Sequence, residues 1–149
     1  MSNVPASSIR TQIAIGENGF YRVVIEGAGS AKDLSKVVSK IAVFPDSEKE
    51  LWIATDVKLD LSSAELIALA DLAKDMPSRP KQVAIVANDD LTYGLGRIYA
   101  GHRETPDSLL NVFRDEKSAL EWLGLQNDST DLEPVGEDDW QYHQSSASA

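Results

Sequence analysis

VAIVANDDLTYGLGRIYAG, residues 83–101, sets the fold class. With Gln82 it begins as a continuous apolar run, QVAIVA at 82–87, of the kind a strand shows when both its faces are covered. Asn88, Asp89 and Asp90 stop the run. The spacing beyond predicts a helix from Asp90 to about His102, capped by Asn88 or Asp89, with Leu91, Leu95, Ile98 and Tyr99 as its buried face. A buried strand running straight into a helix is half of a βαβ unit. Gly94 and Gly96 fall inside that helix, where each costs about 1 kcal/mol against alanine. Close packing of helix on sheet would offset that cost.

The same rhythm extends to both sides. IRTQIAI (9–15) and FYRVVIEG (20–27) flank Gly16-Glu17-Asn18-Gly19, a hairpin signal. Ser30 and Asp33 form a cap signature, and Leu34, Val37, Val38 and Ile41 follow at helical spacing. LWIAT (51–55) reads as a short buried strand ending at Asp56. Ser62 and Glu65 make a capping box for the next helix, with Leu61 placed to staple against Leu66. Pro77 and Pro80 close that segment. LLNVF (109–113) is the last expected strand, and Asp115 opens a final helix that Gly124 stops. The order is ββαβαβαβα, an α/β fold with a mixed, mostly parallel sheet, an N-terminal antiparallel hairpin and flanking helices.

Composition bounds the rest. The chain has 149 residues, enough for one domain with a real core. Residues 1–8 read as a disordered N-terminus, 9–125 as the domain, and 126–149 as an acidic, mostly disordered tail. The net charge of −10 is uneven: six acids and no Lys or Arg lie in 126–149, leaving eighteen acids against fourteen bases elsewhere. No basic stripe is available to neutralise phosphates, which argues against nucleic acid as a partner. No apolar run is long enough for a membrane span. MSNVPASSIR lacks the features of a secretory signal, and there is no cysteine. A cytoplasmic location is the expectation.

Four constellations were candidates for chemistry. Gly94-Leu95-Gly96 is no dinucleotide fingerprint, because it follows the helix start and Tyr99 occupies the third glycine place. It also lacks the lysine of a P-loop, and Asp89 and Asp90 already occupy the positive end of the helix. Asp56, Asp89 and Asp90, if brought together at strand ends, could hold Mg²⁺, although aspartates there commonly serve as caps and turn residues. Ser62 and Ser63 suit either a helix cap or a phosphoacceptor. His102 and His143 have no motif partner, and no nucleophile elbow supports a Ser-His-Asp triad. No catalytic residue, resident metal or cofactor is assigned.

The unit KQVAIVANDDLTYGLGRIYAG (81–101) and the ending VFRDEKSALEWLG (112–124), in the order given above, resemble the SpoIIAA-like proteins. These are small relatives of the anti-sigma-factor antagonist (STAS) fold, sometimes labelled STAS/SEC14-like. The resemblance covers about residues 9–125. It implies a non-enzymatic α/β domain acting through protein contacts, of unknown pathway. In the antagonists a serine at a helix start is phosphorylated by a partner kinase. The matching region here is ATDVKLDLSSAEL (54–66), which carries that role to Ser62 or Ser63. Ala64 replaces the usual glycine, and the spacing from Asp56 is short.

The first functional expectation is therefore a protein-binding or regulatory module. Its surface would hold Asp56, Asp60, Ser62, Ser63, Asp89, Asp90, Tyr93 and Arg97. The alternatives are a small-molecule or lipid carrier or sensor, and a Mg²⁺-dependent enzyme using the aspartates. The partner would be a protein, and the uncovered hairpin edge is suited to a homodimer.

Overall fold

In a computed structural model, residues 8–42, 46–77, 79–125 and 133–135 are described. The first hairpin pairs β1 (Ser8–Ile15) antiparallel with β2 (Phe20–Ser30). Its turn needs left-handed backbone at Asn18 (φ 57°) and Gly19 (φ 75°). A side chain on Gly19 would run into the Asp46 carbonyl, so glycine is required there for space as well as for φ. Then follow α1 (Ala31–Ile41), β3 (Lys49–Asp60), α2 (Ser63–Lys74), β4 (Gln82–Val86), α3 (Asp90–Arg103), β5 (Leu109–Phe113) and α4 (Glu116–Leu123). The sheet runs β5-β4-β3-β2-β1-β6, with β2 to β5 parallel. This is the α/β architecture the sequence pattern implies.

Helix boundaries follow local chemistry. Ser30 and Asp33 close a capping box on α1, and Ser62 and Glu65 close one on α2. Asp89 and Asp115 each accept a backbone N–H at 2.8 Å, from Thr92 and Ser118 respectively. Gly124 ends α4 in the left-handed region. Those caps satisfy donors that every helix start leaves open.

The two faces of the sheet are covered unequally. On one face α1, α2 and α3 pack on Tyr21, Val23, Ile25, Ala54 and Val57 and on the β4–β5 residues Val83, Leu110 and Val112. On the other, α4 sets Ala119, Leu120 and Leu123 against Phe20, Leu51, Ile53, Ala84 and Val86. Lys49 Nζ donates to the Leu123 carbonyl, and Gln82 Nε2 to that of Trp122 at 3.0 Å. Arg22 pairs with Glu116 at 3.2 Å and ties the start of α4 to β2. Burial of a side chain such as Leu123 contributes about 2 kcal/mol.

Four details depart from the sequence expectation. First, β3 does not end at Asp56. Val24 pairs with Ile53 but Glu26 with Asp56, so β3 carries one extra residue opposite Ile25. The bulge shifts the alternation, Ala54 and Val57 both face inward, and the strand continues to Asp60. Second, Leu91 is 68% exposed. The inward stripe of α3 runs through Thr92, Gly96, Tyr99 and Arg103, and Leu91 lies off it. Third, Gly94 has open space where a side chain would be, so only Gly96 serves close packing, on Val112 and Ile85. Fourth, Glu133–Val135, inside the stretch read as a mostly disordered tail, forms a short strand β6 antiparallel to β1. It covers the β1 edge at Ile13, Ala14 and Ile15. The remaining residues of 126–149, and residues 1–7, lie outside the described set, as does His143.

Candidate functional site

The foreseen surface divides in two. Ile53 is level with the end of β4 at Val86, and β3 runs on to Asp60. Seven residues of strand carry the chain roughly 20 Å further. Asp60, Ser62 and Ser63 therefore sit at the tip of an arm in which β3 pairs with β2 and β2 with β1. There the Ser62 backbone donates to Glu65 Oε1 at 2.8 Å, and Ser62 Oγ accepts from the Glu65 backbone at 3.1 Å. Asp56 is exposed beside Glu26, back along the arm.

The second group gathers at the start of α3. Backbone donation from Thr92 holds the Asp89 carboxyl below the usual carboxylate range. Asp90 accepts from Arg114 Nη1 at 2.9 Å, and the same guanidinium lies 3.9 Å over the Tyr93 ring. Arg97 is exposed one turn further on. Leu91 stands free beside Asp90. Asp56, Asp89 and Asp90 do not converge: among the described residues no group of three or more metal-ligating side chains could hold a cation.

A third place was missed entirely. Between the sheet and α1–α3 lies a cavity of about 100 Å³, walled by Ile25, Leu34, Leu69, Ile85 and Leu95. Glu50 and Arg103 also line it, and both are buried, at 4% and 5% exposure. Trp52 Nε1 donates to Glu50 Oε1 at 2.9 Å, and Ser47 Oγ to Oε2 at 2.7 Å. Burial pushes the Glu50 carboxyl upward; the two donors and the Arg103 charge oppose that push without overcoming it. The Tyr99 ring is half-buried, but its hydroxyl is interior. Burial pushes that hydroxyl up to about 12, opposed by the Arg103 guanidinium, which also donates to it. Nearby, Tyr21 donates to Asp46 Oδ1 at 2.6 Å, and burial pushes its hydroxyl upward too.

The sequence did hold a trace of this site. Glu50 and Trp52 are two apart on a strand, and Tyr99 and Arg103 are four apart on a helix, so each pair shares a face. Reading β3 from Leu51 left Glu50 outside the strand, and nothing local joins residue 50 to residue 103.

No family model matches the chain, and no curated protein is similar to it. Among solved structures it is similar to an uncharacterised protein of the DUF3478 family with a SpoIIAA-like fold, from Shewanella loihica PV-4. The TM-score is 0.51 at 20% identity, covering 83% of this chain and 98% of that one. The fold is SpoIIAA-like. At that identity the likeness speaks for the SpoIIAA-like architecture alone. Among the described residues no helix is long and apolar enough to cross a membrane.

Proposed function

We propose that this SpoIIAA-like chain is a non-enzymatic binding module that takes up a small, mainly apolar molecule between its sheet and α1–α3. The cavity carries the reading. Protein interiors pack to crystal-like density with few voids larger than a water. A cavity of about 100 Å³ under three helices is therefore conspicuous. An engineered apolar cavity of about 150 Å³ takes up benzene, so this one suits something of that size or smaller. A long-chain lipid is too large for it. The lack of cysteine suits a cytoplasmic setting.

A protein contact is the second reading, and exposed Leu91 favours it. It follows Asp89 and Asp90 at the start of the helix that also lines the cavity with Leu95 and Arg103, while Tyr93 and Arg97, four apart, share another face of that helix. A regulator of this kind would hold its ligand on the inner side of α3 and meet a partner at the helix start. Asp56, Asp60, Ser62 and Ser63 would form a separate patch on the arm, with either serine as phosphoacceptor.

The test is a benzene titration followed by methyl NMR. Signals of Ile25, Leu69, Ile85 and Leu95 are expected to move. Those of Leu51, Val86 and Leu123, on the far face, are expected to stay. Movement confined to the far face, or none at all, would remove the cavity from the functional account.

A further inference from the structure

The cavity holds a buried cation with one donor unsatisfied. Arg103 ends α3 and is 5% exposed, and its Nη1 has no hydrogen-bond partner among the described residues. Tyr99 takes one of its other hydrogen bonds. Glu50 is the acid within electrostatic reach, but both its oxygens already accept, from Trp52 and from Ser47. The ion pairs of the described residues form elsewhere and do not include Arg103. A guanidinium cannot lose its proton to escape burial as a lysine can. An unpaired buried charge is costly, and the usual remedy is an opposite charge with good hydrogen bonds.

We infer that the cavity seats a short-chain monocarboxylate, its carboxylate on Arg103 Nη1–H and its alkyl chain among Ile25, Leu69, Ile85 and Leu95. The inference rests on the small-molecule reading above and names its ligand class. Charge and size choose the class. One carboxylate cancels one guanidinium, whereas a phosphate dianion would leave excess charge among apolar walls. The cavity, about 100 Å³, is smaller than the void of about 150 Å³ that accepts benzene, which limits the whole acid to roughly the six heavy atoms of benzene, about four carbons with the two carboxylate oxygens. Burial pushes Glu50 toward its neutral form, and in that form it does not repel the incoming anion.

The experiment is calorimetry on the full chain with acetate, butanoate, 1-butanol and dodecanoate. Butanoate is expected to bind roughly 10- to 100-fold more tightly than 1-butanol, the range for a hydrogen bond to a charged group. Affinity is expected to rise from acetate to butanoate and to fall at dodecanoate. Arg103→Met is expected to abolish the preference for acid over alcohol, and Arg103→Lys to keep part of it. The acid–alcohol comparison on the unaltered chain decides the matter even if Arg103→Met does not fold. Equal affinity for butanoate and 1-butanol overturns the anion and leaves the cavity reading standing. Affinity that keeps rising to dodecanoate overturns the short chain in favour of lipid-derived acids. No binding of either four-carbon probe, with benzene also silent, removes both inferences together.

Discussion

Gly94 and Gly96 on α3 look alike in sequence and are set apart by the structure. A methyl group on Gly94 would meet nothing within 4 Å. One on Gly96 would lie 3.3 Å from Val112 Cγ1, 3.5 Å from its Cγ2 and 3.6 Å from Ile85 Cγ2. Gly94→Ala should therefore collect the full helix-propensity gain, about 1 kcal/mol, part of it from a less flexible unfolded chain. Gly96→Ala gains the same and loses it to crowding. Val112 is β-branched and stiff at χ1, and its strand is held by β4, so it cannot turn aside. Overpacking of this kind costs about 1–3 kcal/mol, which leaves a net effect between about zero and 2 kcal/mol of destabilisation. Urea unfolding of both variants measures the difference, and a thermal melt should place Gly94→Ala roughly 2–4 °C above the parent. If Gly96→Ala rises as far as Gly94→Ala, α3 is not seated on β4 and β5 through Gly96, and the roof of the cavity is wrongly placed.

Three further outcomes are expected. Because the Glu50 carboxyl is raised in the folded chain, the folded state holds its proton longer. Stability should then fall as pH rises from the unfolded Glu value, about 4.3, toward the raised one. Glu50→Gln should remove that slope in urea midpoints taken across the range, and an unchanged slope would count against it. The capping aspartates Asp33, Asp89 and Asp115 are lowered and act in the opposite sense, losing their contribution as pH falls below the ordinary carboxylate range. Ser62→Ala should cost about 1 kcal/mol through the lost cap while Ser62→Asp stays near neutral; a melt that separates neither would void the capping account. A chain ending at residue 125 lacks β6 and lengthens the bare β1 edge by Ile13, Ala14 and Ile15, so sedimentation should show more self-association than in the full chain. Equal behaviour of the two lengths would mean that β6 protects nothing.

What the sequence could and could not convey follows from range. Ser62 with Glu65, Asp89 with Thr92 and Asp115 with Ser118 are contacts three residues apart, so helix starts were legible to the residue. LLNVF, with turn residues on both sides, was legible as a strand for the same reason. The length of β3 was not, because a single extra residue opposite Ile25 breaks the alternation on which strand reading depends. The phase of α3 was not either. Leu91 looks like a core residue by type, and only the docking of Thr92, Gly96 and Arg103 on the sheet turns it outward. The surface foreseen from Asp56 to Arg97 assumed that strand ends align, and the extended arm separates its members. Glu50 and Arg103 are more than fifty residues apart, and the cavity they share exists only after three helices close over the sheet.

Xenon probes the cavity with the fewest assumptions, since it enters apolar cavities without needing a specific partner. A crystal of the protein pressurised with xenon should show an ordered atom between Ile25, Leu69 and Ile85, beneath α3. The contradicting result is an empty map at that position, with Leu34, Leu66 and Leu95 closed together where the cavity is placed.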